Sequence, residues 1–105
     1  MPWQQIAALD DALRAHPWLP VEVDGLRVAV AQLAGQWFAV ADACTHAGCP
    51  FSEEADLEDG VIICNCHGSE FDLMTGEVVR GPAELPVRTY PVRVSASGDR
   101  IEIEA

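Results

Sequence analysis

An all-β fold is predicted by three features of the 105-residue sequence. Half of the residues are apolar, and many of the eight glycines and seven prolines fall between short apolar segments, as turn residues do between strands. Apolar and polar residues alternate with the period of a strand, whereas a helical period is confined to one short segment. A chain of this length is expected to form one domain, residues 1–105, with a small core that a metal centre would help to stabilise.

The helical segment is "LDDALRAH", residues 9–16. Asp10 and Asp11 suit the first turn of a helix, where the backbone N–H groups favour negative charge, and Pro17 ends it. The segment is therefore expected to form one or two turns. His16, at its end, is expected to take a capping or surface role and not to bind metal.

Strands are predicted on both sides of the middle of the chain. The segment "VEVDGLRVAVAQLAGQWFAVAD" (21–42) predicts a three-stranded meander, with turns at Asp24-Gly25 and at Ala34-Gly35. The segment "RTYPVRVSASGDRIEIEA" (88–105) predicts a hairpin with its turn at 97–99 and one buried face.

Between these units lies an inserted lobe, at about residues 43–72. It contains two boxes rich in cysteine and histidine, an acidic stretch "SEEADLEDG" (52–60) and one short strand, "VIIC" (61–64). The acidic stretch lacks the ligand spacing of a calcium loop, so it is expected to be a solvated loop.

Charge restricts the partners. Seventeen acidic residues against six arginines and no lysine give a formal net charge of −11, which opposes binding to nucleic acid and to anionic membranes. The charge fits either a basic protein partner or an acidic surface that only keeps a small protein soluble. No run of residues is long and apolar enough to span a membrane, and the first residues have neither a basic region nor a continuous apolar stretch. We expect a soluble, cytoplasmic monomer.

All four cysteines and two of the three histidines fall in the boxes "CTHAGC" (44–49) and "CNCHGS" (64–69). Such boxes suit a tetrahedral zinc site, a disulfide framework, or an iron–sulfur cluster in which histidines replace cysteines on one iron. Zinc knuckles usually take two cysteines from a C-x2-C turn, whereas Cys64 and Cys66 are separated by one residue. A framework made only of disulfides needs an oxidising compartment and leaves the two histidines unexplained.

The boxes resemble the signature of the Rieske family, which is C-x-H followed at a distance by C-x-x-H. Here Cys44-x-His46 is followed, after 17 residues, by Cys64-x-x-His67. The resemblance extends from Phe51 to Val94, where the "TGEV" turn and the "YPVRV" strand are similar to those of soluble Rieske ferredoxins from multicomponent oxygenase systems.

This resemblance implies an antiparallel β-sandwich base with a small two-loop cluster-binding lobe. It implies one 2Fe-2S cluster, with Cys44 and Cys64 on one iron and His46 and His67 on the other. Imidazoles donate less charge than thiolates, so the histidine-bound iron takes the electron, at potentials of about −150 to +300 mV across the class. The imidazoles would face solvent and give the electron its shortest exit.

Other positions resemble the high-potential Rieske subunits of respiratory and photosynthetic complexes. Cys49 and Cys66 stand where those proteins have a disulfide between the two loops. Ser69 stands where they place a hydroxyl that hydrogen-bonds a bridging sulfide, whereas Phe71 replaces their second hydroxyl donor, a tyrosine. The resemblance also implies that Gly81 and Pro82 belong to a proline-containing loop that covers the cluster.

The function implied by the resemblance is that of a one-electron carrier between a ferredoxin reductase and a terminal oxygenase, and not that of an enzyme. One alternative is a Rieske-like small subunit of an assimilatory nitrite reductase, which need not keep a working cluster. Another alternative, from a different class, is a zinc-stabilised interaction module.

Overall fold

The computed structural model describes residues 3–15 and 17–104, so His16 lies outside it. Within these residues the chain forms short strands and two short helices. In chain order the elements are β1 (Trp3–Ala8), α1 (Leu9–Arg14), β2 (Leu19–Val23), β3 (Leu26–Leu33), β4 (Gln36–Ala41), α2 (Phe51–Glu54), β5 (Ala55–Glu58), β6 (Val61–Cys64), β7 (Glu70–Asp72), β8 (Val78–Arg80), β9 (Thr89–Tyr90), β10 (Val92–Val94) and β11 (Arg100–Glu104). None of the helices described is long and apolar enough to cross a bilayer.

Two antiparallel sheets form the base, which confirms the predicted all-β sandwich. One sheet has the strand order β1-β11-β10 and the other the order β2-β3-β4-β9. Buried side chains from both sheets meet in one core. Val28 and Val30 contribute from β3, and Ile101 and Ile103 contribute from β11.

The predicted meander and C-terminal hairpin are both present, as β2-β3-β4 and β10-β11. Asp24-Gly25 and Ala34-Gly35 each have positive φ at both positions, with values of 50° and 81° in the first turn and 51° and 80° in the second. Two successive positive φ values are typical of the two-residue turns that match the twist of paired strands. The predicted helix is also present, as α1. Strand β1, which pairs with β11, is an element that the sequence reading did not include.

The prediction for the lobe was partly wrong. The lobe contains a four-stranded antiparallel sheet, β5-β6-β7-β8, where the sequence reading placed only one strand. The sheet continues past Asp72 to Arg80. The stretch 52–60, expected to be a loop, forms most of α2 and all of β5. Its carboxylates are exposed, but Asp59-Gly60 makes a third turn with positive φ at both positions, and this turn joins β5 to β6.

The lobe packs on the outer face of the β3–β4 sheet. Ala29 and Ala31 point into the lobe core, opposite to their neighbours Val28 and Val30, so β3 is buried on both faces. This explains why the middle of β3, residues 28–31, is a continuous apolar run and does not alternate with polar residues. Trp18 joins the two units, because its Nε1–H donates to the carbonyl of Ala55 at 3.0 Å.

Candidate metal centre

The two cysteine boxes fold into the same backbone turn. In each box the N–H of the first residue donates to the carbonyl of the sixth, and the N–H of the fifth residue, a glycine, donates to the carbonyl of the first. The bonds are Cys44 to Cys49 (2.8 Å) and Gly48 to Cys44 (2.7 Å) in the first box, and Cys64 to Ser69 and Gly68 to Cys64 (both 2.9 Å) in the second.

A glycine makes this turn possible in both boxes. Gly48 and Gly68 have φ values of +76° and +83°, in the left-handed region that other residues seldom adopt. The repeated turn fixes the first residue of each box, Cys44 and Cys64, at equivalent places. The two histidines are not at equivalent positions, because His46 is the third residue of its turn and His67 is the fourth.

The turns bring the four predicted ligands together in two like pairs. Cys44 and Cys64 are 4% and 1% exposed, whereas His46 and His67 are exposed. The two imidazole rings lie 4.8 Å apart between centroids, nearly perpendicular at 83°. The thiols therefore occupy the inner side of the site and the imidazoles its outer side.

The environment of Cys64 disfavours a thiolate when no cation is near. Burial raises the pKa of the Cys64 thiol, and the neighbouring Cys44 thiol raises this pKa further. Backbone N–H groups of Cys66 and His67 act in the opposite direction, because they donate to the Cys64 sulfur. The backbone is thus arranged to support a charged sulfur that needs a positive partner to become stable.

Cys49 and Cys66 are joined by a disulfide, which links the two turns covalently. The bridge connects the sixth residue of the first turn to the third residue of the second. Both cysteines are partly buried and pack against the lobe core. All four cysteines of the chain therefore contribute to this one site.

A loop that follows β8 closes over the two turns. Its residue Ala83 is buried, and the N–H of Ala83 donates to Oγ of the fully buried Ser69 at 3.0 Å. The hydroxyl of Thr45 donates to the carbonyl of Leu85 at 2.6 Å. We call residues 81–86 the proline loop. It forms one hydrogen bond with each turn and is therefore attached to both.

Gly81 and Pro82, the predicted residues of the proline loop, are not the ones that pack against the two turns. Gly81 and Pro82, joined by a cis peptide bond, are exposed, and Ala83 is the buried residue. Phe71 is fully buried, with its ring edge-on to Phe51 at 5.6 Å between centroids, so it belongs to the lobe core.

Asp42 is a residue of the site region that the sequence reading missed. Its buried carboxylate accepts hydrogen bonds from the backbone N–H of Ser52 at 2.9 Å and from the Ser52 hydroxyl at 2.6 Å. Arg27 lies 3.6 Å from the same carboxylate. Asp42 therefore ties the start of the first turn to α2.

Each turn offers one thiol and one imidazole, so the site has two sulfur and two nitrogen donors. Within residues 3–15 and 17–104, no three His, Cys, Asp or Glu side chains are grouped closely enough to hold a single metal ion. Two thiols and two imidazoles from opposite turns instead match the donor set of a two-iron cluster with a different ligand type on each iron.

A donor set of two thiols and two imidazoles defines one class of iron–sulfur protein, in which histidines replace cysteines on one iron. Comparison with known families identifies the family: residues 2–91 match the Rieske [2Fe-2S] domain, and the chain belongs to that family. The family match supports a 2Fe-2S cluster as the cofactor.

Known relatives agree with this assignment. The chain is 36% identical over 76 residues to the biphenyl dioxygenase ferredoxin subunit of Pseudomonas sp. (strain KKS102), covering 72% of this chain and 70% of the relative. The ferredoxin of carbazole 1,9a-dioxygenase from Nocardioides aromaticivorans IC177 superposes with a TM-score of 0.85 at 27% identity, over 98% of this chain and 97% of that one. A chain in a complex of reduced oxygenase and oxidised ferredoxin of carbazole 1,9a-dioxygenase superposes with a TM-score of 0.82 at 27% identity, over 96% and 91%. The ferredoxins among these relatives are the electron-transfer components of their dioxygenase systems and not the enzymes of those systems.

Proposed function

We propose that this protein is a soluble, cytoplasmic, monomeric ferredoxin that passes single electrons from a reductase to a terminal oxygenase. The observation that carries the proposal is the segregation of four side chains on two matching turns, with Cys44 and Cys64 buried and His46 and His67 exposed. These four residues are the proposed ligands of the cluster. When bound, the cluster takes up and releases one electron at the histidine side.

The protein contributes shielding and a short exit path. Burial of Cys44 and Cys64 keeps water from the thiolates. Phe71 and Ile62, in the same lobe core, are also fully buried. The exposed His46 and His67 leave little protein between the centre and a docked partner. A site of this form suits transfer between proteins, since electrons leave from its outer side.

The proline loop and the disulfide are proposed to hold the two turns at a fixed distance. Ser69 accepts a hydrogen bond from Ala83, and none of the described residues accepts its hydroxyl proton. We propose that this proton points to the cluster, where it would favour the more negative, reduced state. Since Phe71 offers no second hydroxyl, the reduction potential is expected to lie between those of ordinary oxygenase ferredoxins and of respiratory Rieske proteins.

The terminal oxygenase is proposed as the acceptor because the relatives are ferredoxins of dioxygenase systems. The negative net charge favours a partner that carries a basic surface around its redox centre. The complete set of four ligands gives no support to a nitrite reductase subunit that lacks a working cluster.

Anaerobic purification followed by metal and sulfide analysis tests the proposal. The protein should contain iron and acid-labile sulfide in equal amounts. After reduction with dithionite it should give a rhombic EPR signal with an average g value below that of the free electron. His67→Cys should alter this signal, whereas Glu22→Gln, an exposed change on β2, should leave it unchanged. Colourless protein with zinc and no sulfide would overturn the proposal.

A further inference from the structure

We propose that Glu84 and Leu85 form the contact point at which the electron-accepting protein docks, with a cationic side chain against Glu84 and an apolar side chain against Leu85. This inference rests on the proposed function and specifies the chemistry of the partner. On this proposal the acceptor is selected by the surface beside His46. The surfaces next to the two imidazoles do not contribute equally.

A notch beside His46 provides the space. It has a volume of about 340 Å³ and is lined by Thr45, His46, Pro82, Glu84 and Leu85. Leu85 is 65% exposed and is the most exposed large apolar side chain among the described residues. An apolar side chain that is exposed next to an electron exit would gain by burial when a partner covers it.

The notch is held rigid from below. The carbonyl of Leu85 accepts the hydrogen bond from Thr45 in the first turn, and Ala83 is buried and bonded to Ser69 in the second. Leu85 is thus presented by a backbone that is already fixed in place. A fixed contact loses little conformational entropy on binding, which is the property of an effective anchor residue.

The part of the chain that carries the notch is strongly acidic, which favours a cationic side chain on the partner. Residues 43–86 contain nine of the 17 acidic residues and only one of the six arginines. Arg80, the one cation of this part, lies 3.8 Å from Glu70. Glu84 is exposed and forms no ion pair within the residues that the structure covers. A lysine or arginine of the partner would therefore meet an unpaired carboxylate at the rim of the notch.

Electron transfer to cytochrome c, a basic acceptor, tests the contact. Leu85→Ser, Glu84→Gln and Thr45→Val are compared with Leu13→Ser, which changes a 54% exposed leucine on α1, and with Glu22→Gln. In stopped-flow measurements at low ionic strength we expect Leu85→Ser to lower the second-order rate constant about tenfold and Glu84→Gln about three- to fivefold. Glu84→Gln should also weaken the salt dependence, and Thr45→Val should lower the rate by less than Leu85→Ser.

The controls should match the unsubstituted protein, and every variant should keep its EPR signal. Equal rates for Leu85→Ser and Leu13→Ser, with the EPR signal intact, would overturn this inference and leave the proposed function standing. Absence of the EPR signal from the unsubstituted protein would overturn both. A loss of rate in both leucine variants would also overturn the inference, because it would show that the effect does not depend on the notch.

Discussion

The hydroxyl of Ser69, in the second turn, accepts a hydrogen bond from the backbone N–H of Ala83 at 3.0 Å, and both residues are buried. This contact joins a turn that holds two proposed cluster ligands to the loop that covers it. It also orients the hydroxyl, because an oxygen that accepts from Ala83 has its proton left to donate elsewhere.

Ser69→Ala is therefore expected to lower the reduction potential. The bond is stronger to the reduced, more negative cluster than to the oxidised one, and a difference of about 1–2 kcal/mol between the two states corresponds to roughly 40–90 mV for one electron. Redox titration followed by EPR measures the change. Thr45→Val is the matched control. It removes the other hydrogen bond that holds the proline loop, but the Thr45 hydroxyl is not proposed to point to the cluster. An unchanged potential in Ser69→Ala, or an equal fall in Thr45→Val, would contradict the assignment of the hydroxyl.

Removal of the disulfide should destabilise the protein without changing its ligands. The bridge joins residues 17 positions apart, and a closed loop of this length contributes about 3 kcal/mol to the free energy of unfolding. The double substitution Cys49→Ser with Cys66→Ser should lower the urea concentration at which the visible absorption bleaches by about 1–3 M. Reduction of the unsubstituted protein with a phosphine should produce a similar fall, and the double variant should not respond to the phosphine. A double variant as stable as the unsubstituted protein would contradict the prediction.

Gly76 should tolerate no side chain. Its φ is +78°, and an added Cβ would overlap the carbonyl oxygen of Val87, whose N–H donates to the Gly76 carbonyl at 2.8 Å. Gly76→Ala is expected to cost on the order of 3 kcal/mol or more, because a backbone carbonyl must move. Gly98→Ala is the control, since Gly98 has a φ of +79° but open space around it, and should cost only about 1–2 kcal/mol. Urea unfolding compares the two variants, and equal costs would show that the close contact with Val87 is unimportant.

Glu102 should titrate at a lower pH than an ordinary glutamate. The hydrogen bond from Arg93 Nε, at 2.7 Å, is the main cause that lowers the pKa of Glu102 from its usual value near 4.5, and Gln5 adds a weaker bond. A lowered carboxyl pKa gives stabilisation that is present above the usual pKa and is lost as the pH falls through the lowered value. Arg93→Leu should raise the pKa of Glu102 in a side-chain NMR titration, and Arg14→Leu should leave it unchanged. A Glu102 pKa that is equal in the protein and in Arg93→Leu would contradict the role of this pair.

Several strands were predictable because local residues specify them. The turns Asp24-Gly25 and Ala34-Gly35 need positive φ, and aspartate or glycine at such positions is a short-range signal. Asp59-Gly60 is the same signal, and together with "VIIC" it could have revealed the β5–β6 hairpin. Strand β1 has no such signal, since its sequence "WQQIAA" lacks a regular alternation. Its extended form depends on pairing with β11, almost the whole chain away.

By itself, the sequence determined the family, the two boxes and the two-residue turns, because each depends on residues within a few positions of one another. The tertiary structure decided what surrounds the centre. The bonds from Ala83 to Ser69 and from Thr45 to Leu85 join residues 14 and 40 positions apart, and Asp42 meets Ser52 across 10. Such contacts form only when separate strands have packed into one core, and no local pattern of residue types encodes where the packed loops will meet.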